Sequence, residues 1–312
     1  MLSHAGLIDP AQTLQLFFLL ASSTVVTVNA ISPFRSRFLV YGSRNSLSGQ
    51  TNDRDNEAKN PNRLNKILDH LATYRVPHSY FTHFYIASVF SSIFWAFQLV
   101  TKGSVFRIIS QNSTWRQEST SMTIEKVVLA WLLMTVQGIR RLVESVVLSK
   151  PSNSTMWFVH WLLGVTFYIA MGISIWVEGL PKLRSLEPSI SLLEIPAPSL
   201  RTFLCLPLFL IASGIQHDAH VYLASLPKYT FPKHPIFRFL LCPHYTMECL
   251  IYLSLSLIAA PEGVIVNKSV LAGLIFVVIN LGVTAGTTRE WYVQKFGEEQ
   301  VRGKWRMIPF IY

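Results

Sequence analysis

The chain has 312 residues, half of them hydrophobic and 14% charged, with 27 Lys and Arg against 17 Asp and Glu. That balance belongs to a polytopic membrane protein and excludes an ordinary soluble domain. The formal net charge of +10 is read as basic loops obeying the positive-inside rule, with no nucleic-acid partner implied.

The first apolar run, Thr13 to Ile31, is long enough to span a bilayer. Secretory signal peptides open with a basic n-region, which residues 1–10 do not have, so a retained helix is expected. From Ser32 to Pro77 the chain is polar and basic, and its middle, Gly42 to Pro61, reads as a flexible loop. A second span is expected over Phe81 to Val100, followed by a short amphipathic stretch at Val105 to Ile109. The third span, Ile124 to Leu148, is interrupted by Gln137, Arg140, Arg141 and Glu144. That side must face protein, water or headgroups, because an arginine pair does not face lipid. Further spans are predicted over Met156 to Val177, Phe203 to Leu223, Phe237 to Ala260 and Val264 to Thr287, with a proline-rich loop from Gly179 to Leu200. The fold class is therefore all-α, with about seven transmembrane helices. Residues 1–200 are expected to form the substrate side and residues 201–312 the cofactor side.

An odd number of spans puts the termini on opposite sides. The basic segments 32–77, 149–155, 225–238 and 289–312 then fall together, which predicts a lumenal N-terminus and a cytosolic C-terminus. Asn112-Ser113-Thr114 and Asn267-Lys268-Ser269 become lumenal glycosylation acceptors. The cysteines Cys205, Cys242 and Cys249 lack zinc-site spacing and read as small core residues.

Chemistry-bearing residues concentrate between Gly214 and Tyr312, in or beside apolar runs. Such groups at membrane depth are costly and mark sites or water-filled cavities. No Rossmann fingerprint, Walker loop or nucleophile elbow is present, so any cofactor binds among the helices and their loops. His217 and His220 share a helix face, but the other histidines are scattered, and no metal site is assigned. Gln216, His220, His244, Tyr245, Asn280 and Tyr292 supply hydrogen-bond donors suited to a pyrophosphate and ribose, and Glu248 an acceptor. Lys228, Arg289, Arg302, Lys304 and Arg306 form a basic rim suited to an extra phosphate, as in NADPH.

Cys242-Pro243-His244-Tyr245-x-x-Glu248, Asn280-Leu281, Glu290-Trp291-Tyr292-x-x-x-Phe296, Lys304 and Ile308-Pro309-Phe310 resemble the C-terminal domain of the steroid 5α-reductase family. Val76-Pro77-x-x-x-Phe81-x-His83-Phe84-Tyr85, Gln137-x-x-Arg140-Arg141-Leu142-x-Glu144 and Gln216-His217-x-x-His220 resemble its polyprenol-reductase branch. The resemblance implies a seven-helix fold of the endoplasmic reticulum membrane that reduces a carbon–carbon double bond conjugated to a carbonyl. It implies that Gln216, His220, His244, Glu248 and Tyr292 contact NADPH. Steroid-reducing members carry a catalytic tyrosine in the third helix where this chain has Gly138, an arginine where it has Thr284, and Tyr-Pro where it has Gln300-Val301.

Electronics narrow the substrate. Hydride does not add to an isolated alkene, whereas an α,β-unsaturated aldehyde accepts it at the β carbon and leaves an enolate that a donor must stabilise. A polyprenol-type substrate would therefore react as polyprenal and give dolichal, which serves dolichol supply and protein N-glycosylation. The donor is expected at the head of the second span, with His83, Tyr85 and Tyr80 as candidates. An isoprenoid tail lets such a substrate approach sideways from lipid. Alternatives are a 3-oxo-5α-steroid 4-dehydrogenase, a membrane methyltransferase using S-adenosylmethionine, and a transporter without chemistry. No internal repeat of the kind transporters carry is found, and no obligate protein partner is inferred.

Overall fold

The computed structural model describes residues 9–39, 63–111, 120–150, 152–186 and 197–312. The loop expected at Gly42 to Pro61 and the acceptor at Asn112 lie outside them. Helix α1 (Pro10–Ala30) starts on Asp9, whose carboxylate accepts from the Ala11 amide at 2.9 Å, with Pro10 in the first turn. Within it Ser22, Ser23, Thr24 and Thr27 donate their hydroxyls to carbonyls one turn back, so polar side chains cost little in an apolar helix. Helix α2 (Arg63–Ala72) is short and amphipathic, and Asp69 on it pairs with Arg37 at 2.7 Å.

Strands β1 (Arg75–Pro77) and β2 (Thr155–Trp157) pair antiparallel, Arg75 opposite Trp157. This clip holds the heads of two long helices together: α3 (Thr82–Thr101), reached through a 3-10 turn at His78–Phe81, and α5 (Phe158–Val177). Between them runs α4 (Ile124–Val147), with Thr123 at its N-cap. Three small residues let α3, α4 and α5 close up. A β-carbon on Gly138 would sit 2.7 Å from the Ser88 hydroxyl, and one on Gly164 2.6 Å from the Phe84 ring. Gly172 meets Ser91 in the same way.

The C-terminal part is a hairpin of α6 (Leu200–Ser225) and α7 (Pro243–Ile258), followed by α8 (Lys268–Phe296), which packs along α1 and α7. Gly297, at φ 86°, ends α8. The tail then pairs back: Leu241 and Cys242 donate their amides to the Trp305 and Arg306 carbonyls at 2.8 and 3.0 Å.

Among the described residues seven long helices stand against the seven spans expected, and five meet the length and apolarity needed to cross a membrane: α1, α3 with its preceding turn, α5, α6 and α8. Helix α4 falls short because of its charges, and α7 because it has 16 residues. The sixth span begins at Pro243 instead of Phe237, since residues 235–237 form a 3-10 turn and the following segment pairs with the tail. The seventh begins at Lys268 and runs on to Phe296. Asn267 is not a surface acceptor: it is 0% exposed. Its side chain caps α8 through the Val270 amide at 2.9 Å and donates to the Ala259 carbonyl.

Candidate active site

A cavity of about 170 Å³ opens where α3 to α8 converge, toward the end of the bundle that carries the clip. Phe81, Phe84, Phe167 and Phe276 give it an apolar wall. Tyr85, Arg141 and Tyr168 face it from the N-terminal helices, and Gln216, His220, His244, Tyr245, Glu248 and Asn280 from the C-terminal ones. Ionisable groups converging at this depth are the signature of a working site.

Gln137, Arg140, Arg141 and Glu144 fall at i, i+3, i+4 and i+7, one face of α4, and that face turns to α6 and the cavity. Glu144, with only 4% of its side chain exposed, is the hub. Arg140 and Arg141 both donate to it, and the Nδ1 atoms of His217 and His220 lie 2.7 and 2.8 Å from its two oxygens. Four partners are what make a buried carboxylate tolerable. Arg141 Nη1 also approaches His220 Nδ1 at 2.7 Å. A guanidinium only donates, and Arg141 already gives to the oxygen that His220 reaches, so the carboxylate takes the His220 Nδ1 proton as well.

The other arm of Arg141 donates to the Tyr85 hydroxyl at 2.5 Å, with the guanidinium 4.7 Å from that ring's centroid. Tyr85 therefore accepts from Arg141 and keeps its own O–H for a further acceptor. The Tyr168 ring lies edge-on against Tyr85, 5.5 Å between centroids. This is a cation-backed phenol in an apolar wall, a group suited to charge developing on a carbonyl oxygen.

Opposite, Gln216 links the helices. Its amide nitrogen donates to Glu248 and to the His244 carbonyl at 3.3 Å, while its oxygen accepts from Gln137 at 3.1 Å and from Arg140. The rings of His244 and Tyr245 lie 4.3 Å apart. A nicotinamide carboxamide carries both an acceptor oxygen and an NH₂ donor. Glu248 as acceptor, held by Gln216, with Asn280 as donor and two aromatic faces, forms a set that fits that end of NADPH.

Of the expected cofactor residues, Gln216, His220, His244, Tyr245, Glu248 and Asn280 come together here, and Lys228, Tyr292 and Lys304 do not. Lys228 is exposed on the loop after α6. Tyr292 is 8% exposed and packs on Phe231 and Phe296. Lys304 donates to the Phe237 and Arg238 carbonyls at 2.7 and 2.8 Å, and burial lowers the pKa of its ammonium below the ordinary lysine range. Among the candidates for the donor, Tyr85 reaches the cavity. Tyr80 and His83 stand outside it, their rings 4.5 Å apart beside Trp161. Sequence reasoning misses Tyr168, because a tyrosine within an apolar run reads as an interfacial aromatic. Arg141 is legible as an anomaly in a span and as part of the Gln137-to-Glu144 motif, but its contact with Tyr85 is not.

The described residues form a helical bundle in which five helices are long and apolar enough to cross a membrane, and comparison with known proteins adds what the chain is similar to. Residues 194–312 match the family model described as 3-oxo-5-alpha-steroid 4-dehydrogenase. Over most of its length it is similar to a polyprenal reductase of Saccharomyces cerevisiae, 28% identical over 258 residues, 81% of each chain. It is also similar to polyprenal reductase 2 of Oryza sativa subsp. japonica, 28% identical over 77% of this chain and 80% of that one. A polyprenal reductase of Xenopus laevis is 29% identical over 60% of this chain and 59% of its own.

Proposed function

We propose that this protein is a polyprenal reductase of the endoplasmic reticulum membrane, saturating the α-isoprene double bond of polyprenal to give dolichal at the expense of NADPH. The observation that carries the reading is the pairing inside one cavity of a Tyr85–Arg141 electrophile with a carboxamide-binding set on α6, α7 and α8. Gln216, His220, His244, Tyr245, Glu248 and Asn280 would hold NADPH, and Lys228 its phosphates; the bound cofactor would supply the hydride. The phenol of Tyr85 donates to the aldehyde oxygen, and Arg141 behind it opposes the charge that gathers there. Phe84, Phe167 and Phe276 keep water from the reacting carbons and so strengthen both interactions.

The test is NADPH oxidation by purified protein offered polyprenal, polyprenol and a 3-keto-4-ene steroid separately. Turnover is expected with polyprenal alone. Tyr85→Phe removes the hydroxyl and leaves the ring, and should lower kcat by about 10²–10³-fold with little change in the KM for NADPH. Glu248→Ala should instead raise that KM. Turnover of the steroid in place of the enal would overturn the substrate assignment, and an unimpaired Tyr85→Phe would overturn the role given to Tyr85.

A further inference from the structure

The electrophile lies one aromatic ring from the surface of the bundle. Tyr85 is 3% exposed, while Phe81, one turn back, is 36% exposed. The Phe81 ring touches Phe84 and Tyr85, at 4.9 and 5.5 Å between centroids, and stacks on His78 at 6.0 Å with planes 4° apart. It thus lines the cavity and meets the outside at once. His160, Leu163 and Gly164 of α5 line the same side, and the next residues outward, Phe158, Val159 and Leu162, are exposed apolar groups 41%, 45% and 46% accessible. Mostly apolar groups, with His160 beside them, therefore lead from Tyr85 between the heads of α3 and α5 to the exposed apolar surface of α5.

The cavity cannot hold a long lipid. Sites that enclose a drug-sized ligand have volumes of about 300–1,000 Å³, against about 170 Å³ here. Everything beyond the reacting end of a polyisoprenyl chain must lie elsewhere, and bilayer is the solvent for it.

We propose that Phe81 is the gate of a lateral portal between α3 and α5, through which the isoprenoid tail passes from the cavity into the membrane. This rests on the enal-reductase reading above. Tyr80, His83 and Trp161 form an aromatic collar beside the portal, the residue types that settle at the headgroup level. The portal admits the aldehyde end first and leaves the tail in lipid, so the site reads the α-isoprene unit and not the length of the chain.

The experiment uses the full-length Phe81→Cys protein in lipid nanodiscs, before and after reaction with a bulky maleimide, assayed with a long-chain polyprenal and with a ten-carbon isoprenoid enal. Wild-type protein treated with the same reagent controls for the native cysteines. Labelling is expected to lower kcat/KM for the long-chain enal by at least about tenfold while the short enal changes by less than about twofold. Loss of both substrates together, or of neither, overturns the portal. Absence of turnover with either enal by unlabelled wild-type protein would remove the reductase reading and the portal with it.

Discussion

At the scale of single residues, Glu144 holds the largest concentration of charge in the described structure. Its carboxylate is buried between two guanidiniums and two imidazoles. Removing one partner of a buried charged cluster costs about 3–5 kcal/mol, because the remaining charges stay buried without compensation. Glu144→Gln keeps the shape and deletes the charge. It should lower the thermal midpoint of the purified protein by several degrees and release Arg141 from Tyr85. Adding Arg140→Met, which removes one orphaned cation, should recover part of the midpoint but not the activity. A midpoint unchanged in Glu144→Gln, measured by intrinsic fluorescence, would show that the cluster is solvated and contributes nothing. Sequence alone shows that these residues share one face of α4; it does not show that Arg141 ends on Tyr85. His83 and Tyr85 illustrate the reason. Two residues apart on a helix is about 200° of rotation, so only one of them faces the cavity. Which one is decided by contacts with other helices.

Those contacts belong to the scale of elements. The rotation of α3 is set where Ser88 meets Gly138 on α4 and where Phe84 and Ser91 meet Gly164 and Gly172 on α5. Glycines in apolar runs give no hint of their partners in a single sequence, which is why the spans are legible and their phase is not. The third span starts where expected, at Ile124 beside the Thr123 cap, whereas α1 and α6 begin three residues before their expected starts, on the caps Asp9 and Ser199. The start of α7 was misjudged because residues 239–242 spend their backbone groups on a tail more than sixty positions away. Gly164→Ala tests the packing. The new methyl would stand 2.6 Å from the Phe84 ring, and overpacking of this kind costs about 1–3 kcal/mol. Because Phe84 lines the cavity, the variant should lose thermal stability and raise the KM for the enal while binding NADPH as before. The second change Phe84→Leu should restore both. A Gly164→Ala protein with wild-type stability and KM would mean that α3 and α5 slide apart freely, and that this glycine does not set their spacing.

The whole molecule has two distinct ends. At one, β1 pairs with β2, Lys150 donates to the Leu226 carbonyl at 2.7 Å, and Leu240 bridges to Trp305. These contacts gather the basic segments around residues 75, 150, 230 and 305. At the other, Lys102 reaches the Arg184 carbonyl, Lys126 the Ala260 carbonyl, and Glu178 accepts from Ser269 at the start of α8. This end holds Lys102 and Lys126 on backbone carbonyls, and its buried carboxylate sits at a helix N-terminus, where the dipole favours it. On the positive-inside rule the basic end is expected in the cytosol, on the side from which NADPH would reach the cavity. Cysteines placed at the two ends decide it. Glu299 is exposed just before the tail. Glu262, 46% exposed, marks the opposite end, where its ion pair with Lys182 is a surface contact of little energetic weight. In sealed microsomes a membrane-impermeant maleimide should label Glu299→Cys at once and Glu262→Cys only after detergent. The reverse pattern would turn the molecule over and cut the proposed cofactor side off from cytosolic NADPH. Labelling of both sites without detergent would mean that the segments on either side of α8 lie on one side of the membrane, and that this helix does not span it.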